Sequence, residues 1–206
     1  STLTAVTSIN NVTKTLGVGA TTSTTTGATF FPGSWGGAKT QYIIKASELS
    51  AIGLIAGPIT SLAFEATTSG QTYQGFTVQM GNTAVASMTT TFISTPMTQV
   101  YKGTLTDDGY TPIVGVNTLA FGTGAGSSSS FIWNGTSNIV ISICWSRVPA
   151  ASTSTASSIK VDPTGFTSSA YDQTDLATPA AECATVTGDG TGSNRPMFTF
   201  VGTAAP

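Results

Sequence analysis

The chain has no histidine among its 206 residues, which removes the commonest general base and metal ligand and, with it, Ser-His, Cys-His and zinc-histidine chemistry. Charge is scarce as well. Seven Lys and Arg with nine Asp and Glu make up 8% of the sequence, against about 25% in ordinary soluble proteins. So little positive charge excludes a nucleic-acid partner. No apolar run approaches the ~20 residues that a bilayer-crossing helix needs, so no membrane span is expected. No basic segment followed by an apolar one opens the sequence, so a secreted form is expected to have lost its signal. The acids are scattered mainly over turn-like segments and no nucleophile motif accompanies them. No catalytic residue, cofactor or metal site is therefore assigned, and a carboxylate-pair glycosidase is the one enzyme class weighed against that view.

What is abundant is hydroxyl: 40 Thr and 24 Ser, 64 of 206 residues. The surface must be made of hydroxyls rather than ions. A hydrophobic fraction of 39% still allows a real core, and the length suits one large all-β domain. Cys144 and Cys183 are the two cysteines; they pair as one disulfide in an oxidising compartment or remain two buried thiols. Low charge, abundant Thr and Gly and a disulfide together favour an extracellular or cell-surface location.

The strongest core candidate runs from Phe131 to Trp145. Asn134-Gly135 forms a turn, and the Ile- and Val-rich run after it is too short and too β-branched for a helix. Ile139, Ile141 and Ile143 face one way and Val140, Ser142 and Cys144 the other. Both faces thus look covered, as in the middle of a sheet within a sandwich. Trp133 and Trp145 add large apolar area at its ends.

The N-terminal sequence alternates loosely, with Leu3, Ala5, Thr7 and Ile9 on one side and no turn residue until Gly17. Two readings stay open: a first strand pairing within its own domain, or an arm over 1–15 that adds to the sheet of a neighbouring copy, leaving 16–206 as the sandwich. Asn11 and Asn134 match the N-glycosylation acceptor pattern, and Thr21, Thr22, Thr24, Thr25 and Thr26 make a run open to O-glycosylation. Phe30, Phe31 and Trp35 lie in an aromatic, turn-rich loop that either stacks on a glycan or plugs one end of the sandwich. Lys39–Ile44 reads as a strand, followed by a helical turn with Ser47 as N-cap and Gly53 as its stop. Ile59–Ala66 and Tyr73–Met80 read as an antiparallel pair, with Leu62 and Phe64 on one core face and Phe76, Val78 and Met80 on the other. Pro96 demotes its surroundings to a loop or edge strand. Asp107-Asp108-Gly109 is a tight turn without the alternating ligands of a calcium loop. Asp172, Asp175, Glu182 and Asp189 gather acid in a loop-rich stretch, and Asn194–Val201 reads as one clean terminal strand.

Several segments together resemble a module of secreted and cell-surface adhesin-like proteins of Bacteroidota. They are Trp35-Gly36-Gly37-Ala38-Lys39-Thr40-Gln41-Tyr42-Ile43-Ile44 with Ala46-Ser47-Glu48-Leu49, Ile59-Thr60-Ser61-Leu62-Ala63-Phe64, Phe76-Thr77-Val78-Gln79-Met80-Gly81-Asn82-Thr83, Trp133-Asn134-Gly135-Thr136-Ser137-Asn138-Ile139-Val140 and Asn194-Arg195-Pro196. The resemblance implies a single, mainly antiparallel β-sandwich of jelly-roll type used for display or adhesion, with no catalytic residues to carry over. Module-bearing subunits of extracellular fibrils are similar. The expectation is therefore a structural subunit that polymerises with itself by strand addition, with covalent or bound glycans as further partners. The alternative is a monomeric carbohydrate-binding or adhesin module acting through Trp35, Phe30, Phe31 or Tyr42.

Overall fold

Alternation of apolar and hydroxyl residues, rather than helical periodicity, decides almost every element. The computed structural model describes residues 10–205. In order, the elements are β1 (Asn10–Leu16), β2 (Thr21–Ser23), β3 (Gly37–Ile44), α1 (Ala46–Ala51), β4 (Leu54–Ala66), β5 (Thr77–Thr83), β6 (Thr98–Lys102), β7 (Gly115–Ala120), β8 (Phe131–Trp133), β9 (Asn138–Ser146), β10 (Ile159–Pro163), β11 (Ser169–Thr174), α2 (Pro179–Ala184), β12 (Gly190–Gly192), β13 (Asn194–Pro196) and β14 (Phe198–Ala204). A short 3₁₀ turn at Thr106–Asp108 precedes β7.

The strands form two antiparallel sheets packed as a sandwich. One has six strands in the order β12-β11-β3-β9-β5-β6; the other has eight, following β1-β14-β4-β10-β13 with β2 on β10 and β7 and β8 on β4. Strand β9 is central, as its sequence implies: β3 pairs along one side and β5 along the other, and every residue after Asn138 is buried. Ile139, Ile141, Ile143 and Trp145 enter the main core. Val140, Ser142 and Cys144 face away from it yet are buried too. The indole of Trp145 donates to Phe30 O at 2.6 Å, and that of Trp133 to Ser137 O at 2.7 Å, so neither buried N–H lacks an acceptor.

Three local expectations need correcting. Strands β4 and β5 do not pair: β4 takes β14 on one side and β7 and β8 on the other, while β5 takes β9 and β6. Both ladder edges of each are occupied, so the two meet across the core rather than edge to edge, with Leu62, Phe64, Phe76, Val78 and Met80 in one cluster. The N-cap of α1 is Lys45 rather than Ser47; the Glu48 carboxylate accepts the Lys45 N–H at 2.8 Å and Asn138 Oδ1 accepts that of Ala46 at 2.9 Å. Gly53, at φ +87°, ends the turn as expected. Residues 10–15 of the expected arm belong to β1, which pairs with this chain's own β14 from Asn10↔Ala204 to Leu16↔Phe198. Leu3, Ala5 and Ile9 lie outside the described residues.

One ion pair ties the layers together. Arg195, on β13 of the eight-stranded sheet, donates to both Glu48 oxygens at 2.8 and 3.0 Å and to Ile43 O of β3 at 2.8 Å. Burial pushes the Glu48 carboxyl up, but the Arg195 guanidinium and the Lys45 N–H outweigh it and hold the group below its ordinary value.

Candidate functional site

The edges of the eight-stranded sheet are the first candidate. Strand β1 is terminal, with exposed Asn10, Asn11, Thr13 and Thr15 and half-buried Val12 and Lys14. Beyond β14, no strand pairs with it among the described residues. Its C-terminal end is pinned, since the Asp162 carboxylate accepts the N–H groups of Val18, Gly19 and Ala20 at 3.0–3.1 Å. On the opposite side, β7 pairs with β4 alone. Ile113, Val114 and Val116 are 62–64% exposed there, an unusual concentration of apolar surface.

The second candidate is a polar cluster outside the six-stranded sheet, beside the disulfide. The Cys144–Cys183 bond expected from the sequence is present, with Cα atoms 5.3 Å apart, and it fastens α2 onto β9. Lys39, on β3, lies opposite Cys144 of β9 and opposite Asp172 of β11. Its ammonium donates to Cys183 O at 2.8 Å and Thr185 O at 2.6 Å and sits 4.7 Å from the Phe92 ring centroid. Burial lowers the Lys39 pKa, against the opposing pull of Glu182 and Asp172. Glu182 of α2 is fully buried. Burial first, then the charge of Asp172, raises its carboxyl to about 8, with Lys39 opposing. Neither Glu182 oxygen has a hydrogen-bond partner among the described residues, so the neutral acid is the form that burial favours. Asp172 is itself raised, by burial and then by Asp189. The cluster is therefore a buried acid and a buried lysine that perturb each other beside a covalent staple, on the face where α2 docks. Among the described residues, no group of three or more His, Cys, Asp or Glu is arranged to hold a metal ion.

The aromatic loop does not form a glycan platform. Phe30 and Phe31 are 1% and 0% exposed, with Phe31 stacked on Tyr73 at 4.3 Å and Phe30 edge-on to Phe64 at 4.9 Å. Burying two phenyl rings is worth several kcal/mol, so the core claims them. Tyr42 is fully buried as well, and Trp35 is only half-buried. A trough of about 540 Å³, lined by Val85, Phe92, Ile93 and neighbouring Thr and Ser, contains no charged residue. Thr21, Thr22, Thr24 and Thr25 are exposed and Thr26 half-buried, its hydroxyl donating to Gln173. Asn11 is exposed on β1. Asn134 is exposed but engaged, its amide nitrogen donating to Ser137 Oγ at 2.8 Å and its oxygen accepting the N–H groups of Thr136 and Ser137.

Sequence reasoning located the acidic stretch but missed its lysine, because Lys39 and Glu182 are brought together only by the β3–β11 register and the disulfide. It also missed β7 as an edge, although the signal was present: no Asp, Glu, Lys or Arg occurs from Gly109 to Ser146. No protein family matches the chain, and neither does any curated protein or solved structure.

Proposed function

We propose that this chain is a structural subunit of an extracellular filament or surface assembly, polymerising with copies of itself by strand addition. The observation that carries the reading is that β1 is a terminal strand, and that the alternating sequence with Leu3, Ala5, Thr7 and Ile9 runs directly into it. A segment that adds to the sheet of a neighbour makes a head-to-tail contact, and such a contact propagates when its rotation does not close. The disulfide favours an oxidising compartment. The hydroxyl-rich surface keeps a fibre wettable and offers exposed Thr21, Thr22, Thr24 and Thr25 for glycans. A jelly-roll course of the strands belongs to the same reading, as does the resemblance to the Bacteroidota surface module.

Negative-stain electron microscopy and sedimentation of the full-length chain test it. Regular fibres are expected, converting to dispersed particles when Leu3 and Ile9 are both replaced by Asp. Dispersed particles from the unaltered chain, across a wide concentration range, would sink the proposal.

A further inference from the structure

Within each copy, the edge at which such an arm arrives can be located. Phe121 donates its N–H to Thr60 O at 3.0 Å. Residues 121 and 60 are thus a hydrogen-bonded pair, and in the β4–β7 register so are Leu119 with Leu62 and Asn117 with Phe64. Val116, Thr118 and Ala120 therefore turn their N–H and C=O groups away from β4. The Ala120 carbonyl is taken by Thr123 N–H at 3.3 Å. Among the described residues, nothing pairs with the outward groups of Val116 or Thr118.

Natural sheets guard such an edge with lysine, proline, a bulge or a covering loop. The β1 edge carries Lys14. The β6 edge of the other sheet is covered, because Lys102 N–H reaches Thr123 O, Gly122 N–H reaches Val100 O and Ser128 N–H reaches Gln99 O, at 2.8–3.0 Å. Strand β7 has no such protection. Its register with β4 runs without a bulge, it contains neither charge nor proline, and it adjoins exposed Ile113 and Val114. An uncharged, apolar, unpaired edge of this kind is a template for another strand.

We infer that the outer edge of β7, with Ile113, Val114 and Val116, is the acceptor for residues 1–9 of a second copy of this chain. The inference rests on the strand-addition reading and names its acceptor. Residues 1–11 contain no charged side chain, so neither partner buries an ion on pairing. Nine residues extend to roughly 30 Å, enough to cover 113–120. Direction agrees as well. Strand β1 is antiparallel to β14, β14 to β4 and β4 to β7, so β1 and β7 run in opposite senses. Two copies in the same orientation then bring the arm of one antiparallel to the β7 of the other.

Two substitutions and one cross-link in the full-length chain test the assignment. Thr118→Pro removes only an outward N–H and Val116→Lys places a charge on the edge, so both leave the β4–β7 ladder intact. Each is expected to lower the sedimentable fraction at least tenfold, with the circular dichroism spectrum unchanged. A photo-cross-linking benzoylphenylalanine in place of Thr7, in a mixture of isotopically light and heavy chains, is expected to yield inter-chain adducts within 111–121. Fibres that persist with both substitutions, or adducts elsewhere or within one chain, would overturn the β7 assignment while leaving strand addition standing. An unaltered chain that never polymerises would bring down both.

Discussion

The two sheets of this sandwich are finished differently. In the six-stranded sheet, β9 lies in the middle, one face in the core and the other covered by α2, the disulfide and the segment carrying Met88 and Phe92. Its β6 edge is sealed by the loop at 122–128. The eight-stranded sheet shares the same core, and among its outer strands β1 and β7 are each paired on one side only. The contrast teaches that closure here is built locally: the centre of one layer is stapled and covered and its β6 edge is sealed, while β1 and β7 of the other each keep an unpaired side.

The largest expected effect comes from breaking the closed layer at its centre. Trp145→Ala removes a fully buried indole and leaves Phe30 O without its donor, which should cost roughly 3–5 kcal/mol in urea-induced unfolding; a loss under about 1 kcal/mol would mean that β9 does not anchor the fold. Next comes the staple. Replacing Cys144 and Cys183 together by Ala releases a loop closed over 39 residues and should cost about 4 kcal/mol by chain entropy. The unaltered chain should show no titratable thiol when denatured without reductant.

A smaller effect sharpens the same comparison through pH. Glu182 titrates at about 8 in the folded chain, against an ordinary value of 4.5. Between those values the folded state holds a proton that the unfolded state has released. The contribution is therefore complete below about 4.5 and disappears as pH rises through 8. Thermal unfolding should show stability falling over this window, and Glu182→Gln should flatten the slope; an unchanged slope would remove the group from the account. Smallest of all is the open layer. Val116→Lys should change unfolding free energy by no more than about 0.5 kcal/mol, in contrast to its effect on association, and a large loss would show that β7 is part of the packed core instead.

Much of this molecule was legible because its signals are local. The period-two alternation of Ile139, Ile141 and Ile143 marks a strand wherever it is placed, and its β-branched density marks it as buried. Phe76, Val78 and Met80 declare a common face in the same way. Gly53 and Asn134-Gly135 sit at positive-φ glycines, φ +87° and +82°, so backbone sterics fix those turns before any tertiary contact forms. Partner choice was not legible. Alternation is equally satisfied whether β4 pairs with β5 or faces it across the core, and only the competition of β14, β7, β9 and β6 for their edges excludes the hairpin.

By itself, then, the sequence determined that the protein is all-β, that its surface is hydroxyl rather than ionic, which strand is central, and which two thiols are available to pair. Only the tertiary structure decided that Phe30 and Phe31 belong to the core, that Lys39 meets Asp172 and Glu182 beside the disulfide, and that β7 keeps an unpaired edge. The physical reason is range. Strand propensity and turn geometry are set by neighbours along the chain, whereas burial, perturbed charges and free edges depend on contacts between segments far apart in it, such as Phe31 with Tyr73, Leu62 with Leu119 and Lys39 with Asp172.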